Sequence, residues 1–131
     1  MSAHILAIND DQAILDLYTL ALEGEGYTVS TALMVSEDAR EIAKLMPDLI
    51  ILDFKMGKHN TGILMLEQIR MYRPTKDIPV IICTAALKEI REQEDVLLQK
   101  GIPVLYKPFD LDEFLHLVKK MVALQVSYGR E

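Results

Sequence analysis

The run Pro47-Asp48-Leu49-Ile50-Ile51-Leu52-Asp53 constrains this chain more than any other stretch. Its four consecutive apolar residues, Leu49 to Leu52, are too few for a buried helix and suit a β-strand covered on both faces. Such a strand belongs inside a parallel sheet, with further layers above and below it. The run ends on Asp53, and a carboxylate at the carboxyl end of a buried strand is costly unless a cation or a donor meets it there. Taken alone, Asp53 reads first as a residue that turns the chain. The ends of the other strands give it a chemical context.

Ile5 to Ile8 is an apolar run that stops at Asn9-Asp10-Asp11, a first strand followed by a polar turn. From Gln12 the apolar spacing becomes helical, with Ile14, Leu15, Tyr18, Ala21 and Leu22 on one face and Gly24 and Gly26 as the stop. Tyr27 to Thr31 is aromatic and β-branched and reads as the second strand. A second helix over Val35 to Met46 is expected to bury Val35, Ala39, Ile42, Ala43 and Met46, with Pro47 closing it. After Asp53 a loop over Lys55 to Asn60 leads through Thr61-Gly62 into a third helix, which turns Ile63, Leu66 and Ile69 inward and ends before Pro74. Ile78 to Thr84 is the fourth strand. Leu87 to Lys100 follows as a fourth helix, its centre from Arg91 to Asp95 read as a solvated face and Gly101 as its end. Pro103 to Tyr106 is a short fifth strand ending at Lys107-Pro108. The last helix opens on Asp110 and Glu113 as a capping box and is expected to bury Leu111, Phe114, Leu115, Val118 and Val122, with Val126 to Glu131 as a short tail.

Five strands alternating with five helices predict an α/β fold, a flavodoxin-like, doubly wound, five-stranded parallel sheet. The continuous apolar runs of strands one, three and four belong at its centre and the weaker second and fifth strands at its edges. That gives the order 2-1-3-4-5, with the topological switch point between strands one and three. The 131 residues are expected to form one domain, with a core over about residues 4–124.

Charge and cysteine content narrow the function. The net charge of −6, from 20 acidic and 14 scattered basic residues, argues against a nucleic-acid-binding surface. Cys83 is the only cysteine and lies in an apolar run, so it reads as a small core residue and no internal disulfide is expected. His4, His59 and His116 are far apart and lack metal-ligand spacing. No signal peptide or membrane-spanning run is read, so a cytoplasmic location with no membrane partner is expected.

In an open α/β sheet, ligands bind beyond the carboxyl ends of the strands at the switch point. Those ends carry Asn9-Asp10-Asp11, Asp53, Thr84 and Lys107. Neighbouring carboxylates repel, and a hard divalent cation such as Mg2+, which takes one or two carboxylates plus waters, relieves that repulsion. With the metal in place, Asp53 can act as a nucleophile toward phosphorus and form an acyl phosphate. Lys107 then supplies positive charge, and Thr84 a hydroxyl donor, to the phosphoryl oxygens. Each residue has a plain alternative: Thr84 as a helix cap, Lys107 reaching to solvent, the acids as an ordinary turn. Their convergence on one edge favours the shared chemistry.

With these pieces in order, the chain resembles a response-regulator receiver domain, the phosphoacceptor half of two-component signalling, chemotaxis regulators included. The matching pieces are Asn9-Asp10, the run Pro47 to Asp53 with Met56, Thr84 in Ile81-Ile82-Cys83-Thr84-Ala85, and Lys107-Pro108-Phe109. The resemblance implies that Asp53 takes a phosphoryl group from a phosphohistidine on a sensor histidine kinase or histidine phosphotransfer protein, and that water later removes it. It implies a signalling switch rather than an enzyme turning over a separate substrate, and it leaves room for a homodimer. Mg2+ would be held by Asp10, Asp53 and the backbone carbonyl of Lys55, and the Lys107-Pro108 peptide would be cis. Thr84 would move toward the phosphoryl group and so alter the face built from helix four, strand five and helix five.

Three departures from that pattern stand out. The two acids usual after strand one fall on Asn9 and Asp10, so the first is an amide. It can hold a metal-bound water but removes a charge, and weaker Mg2+ binding than in Asn9→Asp is expected from a titration. Gly57 replaces a proline after Met56, the loop to Gly62 is one residue longer, and Lys55 stands where its ammonium could reach the phosphoryl group or crowd the metal; a phosphoryl half-life different from that of Lys55→Asn is expected. The usual aromatic position three residues before the lysine is Val104, and an aromatic stands instead at Tyr106. In a regular strand the two share a face, and Tyr106 reads first as a ring packed under helix four or five.

Other classes stay open at this point. Asn9 and the displaced aromatic suit a pseudo-receiver that acts as an unphosphorylated protein-binding or dimerisation module. A phosphatase or dehalogenase-like hydrolase with an aspartyl nucleophile wants an acid where Lys55 stands. A nucleotide or flavin binder wants a glycine-rich loop after strand one, where this chain has acids.

Overall fold

Strands β1 (His4–Ile8), β2 (Thr28–Ala32), β3 (Leu49–Asp53), β4 (Val80–Thr84) and β5 (Val104–Tyr106) form one sheet in the order β2-β1-β3-β4-β5, and each neighbouring pair is parallel. This computed structural model of the chain describes residues 2–33, 38–53, 61–85, 92 and 94–129. Among them five helices alternate with the strands: α1 (Gln12–Gly24), α2 (Ala39–Leu45), α3 (Thr61–Met71), α4 (Glu94–Gln99) and α5 (Leu111–Gly129). The expected doubly wound architecture and strand order are both present.

The pleat of the strands divides the core into two layers. Leu6, Ile8, Ile50, Leu52, Val80 and Ile82 face one side and pack with Ile42 of α2, Met65, Leu66 and Ile69 of α3, and Leu97 of α4. Ile5, Ala7, Leu49, Ile51, Ile81 and Cys83 face the other and pack with Leu15, Tyr18 and Leu22 of α1 and Phe114, Val118 and Met121 of α5. β3 and β4 are buried along their whole lengths, as their unbroken apolar runs require. The start of β3 is tied to β1 through Asp48, whose backbone N–H donates to the His4 carbonyl and whose carboxylate accepts from the His4 N–H at 2.8 Å.

Polar side chains set the helix ends. Asp11 caps α1 by accepting from the Ala13 N–H at 2.9 Å, and Gly26, at φ 94°, supplies the left-handed residue that turns the chain into β2. Thr75 is fully buried, and its hydroxyl donates to the Ile69 carbonyl at 2.7 Å beyond the end of α3. At Asp110 half of the expected capping box is visible, with the backbone N–H donating to Glu113 Oε1 at 3.3 Å.

Four expectations need correction. The second helix starts at Ala39, because Asp38 is extended and caps it by accepting from Arg40 and Glu41; Val35 lies outside the described residues. Met46 is not a core residue: it takes the left-handed cap conformation at φ 51°, which swings it out of the helical stripe, and it is 78% exposed. Leu111 sits in the uncovered first turn of α5, and Met121 completes the buried stripe of Phe114 and Val118. The expected tail is helical as far as Gly129. The fourth helix is described only from Glu94, and the Lys55–Asn60 loop lies outside the described residues.

Candidate functional site

At the carboxyl edge of the sheet the α1/α5 face continues one step beyond the apolar core. Asn9 follows Ala7 by two residues, Asp53 follows Ile51, and Lys107 follows Leu105, so the pleat carries all three to the same side. The geometry confirms it. Lys107 Nζ lies 2.7 Å from Asp53 Oδ2, and Asn9 Nδ2 donates to the same oxygen at 3.2 Å. Asp53 is only 6% exposed, and a cation and a neutral donor are among the groups that meet its carboxylate, as a buried charge demands.

The Asn9 amide has a defined orientation. Its Oδ1 accepts the Asp11 backbone N–H at 3.0 Å, which leaves Nδ2 for Asp53. The amide therefore presents a donor, not an oxygen, to the carboxylate. Asp10, one residue on, is exposed at the rim of the same edge.

Beside Asp53 lies Cys83, its register partner in β4, whose thiol faces the same core layer as Tyr18 of α1. Burial pushes the Cys83 thiol up to about 12; the Lys107 charge opposes that rise and the Asp53 charge adds to it. Burial likewise raises the Tyr18 phenol far above its usual range, and the Cys83 and Asp53 charges add to the effect. The Tyr18 ring stacks on Phe114 at 4.7 Å, and Phe114 in turn on Phe109 at 5.7 Å, so α1, α5 and the segment after the cis Lys107-Pro108 peptide meet under the site.

Thr84 is fully buried and by strand alternation falls on the opposite face, following Ile82, while its carbonyl accepts the Lys107 N–H at 2.8 Å. Its register partner is Tyr106. Tyr106 packs with Val104 on the α4 side, as a shared strand face predicts, and its hydroxyl donates to Glu94 Oε1 at 2.6 Å. Glu94 is thus a fixed partner and not part of a solvated face. Neither that role nor the stacking of Tyr18 on Phe114 is legible from the residues, since the partners are remote in sequence.

Of the site residues expected from the sequence, Asp53 and Lys107 touch, Thr84 stands one residue beyond Cys83 at the same edge, and Lys55 lies outside the described residues. Among the described residues no group of three His, Cys, Asp or Glu side chains gathers to hold a metal, and no helix is long and apolar enough to cross a membrane.

The family model for the response regulator receiver domain matches residues 5–119 of the chain. The chain belongs to that family. This receiver domain is 36% identical over 118 residues to the DNA-binding dual master transcriptional regulator RpaA of Synechocystis sp., covering 90% of the chain and 48% of that protein. It is 31% identical over 122 residues to the phosphate regulon transcriptional regulatory protein PhoB of Rhizobium meliloti, covering 93% of the chain and 53% of that protein. It therefore spans about half the length of these relatives. Among solved structures, a CheY-like response regulator receiver domain protein from Methanospirillum hungatei JF-1 matches with a TM-score of 0.80 at 27% identity, over 98% of this chain and 100% of that one. The chemotaxis response regulator CheY4 of Vibrio cholerae matches with a TM-score of 0.72 at 28% identity, over 92% of this chain and 99% of that one. Receiver domains are the signalling switches of two-component response regulators, and this one has their fold and strand order.

Proposed function

We propose that this receiver domain, taken as a single unit over residues 1–131, accepts a phosphoryl group on Asp53 from the phosphohistidine of a sensor histidine kinase or histidine phosphotransfer protein in the cytoplasm. The observation that carries this is the pairing of Asp53 Oδ2 with Lys107 Nζ at 2.7 Å in a nearly buried setting. Lys107 pairs with the carboxylate and orients it, and it stands ready to pair with phosphoryl oxygens as they arrive. A carboxylate oxygen of Asp53 attacks phosphorus; the new O–P bond forms as the histidine N–P bond breaks, and the imidazole leaves with the electron pair. Thr84 carries a hydroxyl to the same edge as a further donor. Water later attacks phosphorus and releases phosphate, which restores the carboxylate.

The donors at this edge fit a hard cation. Asp53 and the exposed Asp10 offer carboxylate oxygens, and Mg2+ needs only one or two of these beside waters. Asp10, Asp53 and the Lys55 carbonyl would hold it, and when bound it supplies charge neutralisation to the phosphoryl oxygens. Relatives such as RpaA are described as DNA-binding regulators. This receiver would control an output of its own chain or of a partner through its α4–β5–α5 face, without contacting nucleic acid itself.

Incubating the chain with MgCl2 and acetyl phosphate, followed by intact-mass measurement, tests the proposal. One phosphoryl group is expected on the parent and none on Asp53→Asn. A parent that gains no mass would leave a pseudo-receiver, working as an unphosphorylated binding module, as the better account.

A further inference from the structure

Asn9 is held at three points. It is 1% exposed, its backbone N–H donates to the Ala32 carbonyl at 3.2 Å, its Oδ1 accepts from Asp11 N at 3.0 Å, and its Nδ2 donates to Asp53 Oδ2 at 3.2 Å. Exchanging the amide oxygen and nitrogen would set a carbonyl oxygen against a carboxylate oxygen at one end and two N–H donors against each other at the other end. Both ends therefore dictate the same orientation. With Lys107 on the same Oδ2, that oxygen is fixed by two donors from two different strand ends.

We infer that Asn9 is a positioning residue for Asp53, whose amide N–H does the holding that a divalent cation would otherwise have to do, so that the acceptor carboxylate is set in place before any metal arrives. An aspartate at this position would face Asp53 oxygen to oxygen across the same gap, in a setting where both are nearly buried. Lys107 offsets part of that repulsion, and a divalent cation between them would relieve the rest. The amide thus replaces a metal-dependent arrangement by a preformed one, and it weakens the demand for Mg2+ without removing the acceptor.

The inference rests on the reading of this edge as a cation and phosphoryl site, yet melting and not phosphorylation reads it, so the two can fail separately. Thermal unfolding of the full chain is compared in EDTA and in excess MgCl2 at matched ionic strength. Asn9→Asp is expected to melt about 5 °C below the parent in EDTA and to regain most of that with Mg2+. The parent is expected to shift by less than about 2 °C between the two conditions. Asn9→Ala, which loses the donor without adding a charge, is expected to melt low in both. If Asn9→Asp does not fold in EDTA, recovery of its circular dichroism on adding Mg2+ supports the inference equally, and absence of recovery counts against it. Equal Mg2+ shifts for the parent and Asn9→Asp, or equal melting in EDTA, overturn it. A second readout is the Asn9 side-chain amide pair in a 15N-correlation spectrum. One of its protons is expected downfield and slow to exchange in the parent and back at the ordinary position in Asp53→Ala; a pair indifferent to Asp53→Ala also overturns the inference.

Discussion

Thr84 and Tyr106 are register partners across β4 and β5, and Tyr106 reaches on to Glu94 of α4 with a 2.6 Å hydrogen bond. The residue proposed to respond to phosphorylation is therefore the immediate neighbour of a ring that is latched to α4, on the face proposed for output. Val104, at the usual aromatic position, shares that face but offers no polar handle. The latch is testable without phosphorylation. Tyr106→Phe and Glu94→Gln should each cost about 1 kcal/mol in urea unfolding, and the double variant hardly more than either alone, a coupling energy of about 1 kcal/mol. Strict additivity would mean that the bond is not made in solution.

The Lys107–Asp53 pair is asymmetric, and its variants should be too. Lys107 is partly solvated, whereas Asp53 is nearly buried. Removing Asp53 frees an ammonium that can turn to water; removing Lys107 leaves a nearly buried carboxylate without the cation paired with it at 2.7 Å. Lys107→Met is expected to destabilise by about 2 kcal/mol, short of the roughly 3–5 kcal/mol of a fully buried pair, and Asp53→Asn by less than about 1 kcal/mol. Equal losses in chemical denaturation would contradict the asymmetry.

Phe114 joins the two helices under the site, stacked on Tyr18 at 4.7 Å and on Phe109 at 5.7 Å, with no exposed surface of its own. Phe114→Ala should cost about 4 kcal/mol and Phe114→Leu about 1–2 kcal/mol, since leucine refills most of the volume but loses both stacked pairs. Urea midpoints with unchanged m-values check this. A loss below about 1 kcal/mol for the alanine variant would show that the surrounding helices collapse onto the gap.

What could be read from the residues follows from how local each signal is. Leu49 to Leu52 and Ile81 to Cys83 are unbroken apolar runs, so their central, doubly covered places in the sheet were legible, and the strand order followed. Asp53 and Lys107 were legible as strand ends brought to one edge, and they do meet. The direction of the Asn9 amide was not, because the choice between its oxygen and nitrogen is made by the Asp11 N–H and not by residue type. Glu94 looked like one member of a charged run, and only the placement of α4 against β5 brings it to Tyr106, twelve residues on. Met46 fitted the helical period, but a left-handed backbone angle that periodicity does not encode takes it out.

Cys83 ties the stability of the fold to pH on the alkaline side. Its thiol is pushed by burial from an ordinary value near 9 up to about 12, so the folded state keeps a proton that the unfolded chain releases earlier. The stabilisation is complete below about pH 9 and is lost as pH rises toward about 12, with a slope of at most about 1.4 kcal/mol per pH unit between the two. Cys83→Ala should be less stable near neutrality, because it leaves a small cavity in the core layer shared with Tyr18, but its stability should fall less steeply above pH 9. Urea unfolding of both proteins across that range gives the comparison, and parallel curves would mean that Cys83 titrates alike in the folded and unfolded chains. The same burial makes the thiolate scarce at pH 8, about one part in ten thousand. Iodoacetamide is therefore expected to label Cys83 only in denaturant, and rapid labelling of the native protein would show that β4 opens beside Asp53 far more readily than its packing implies.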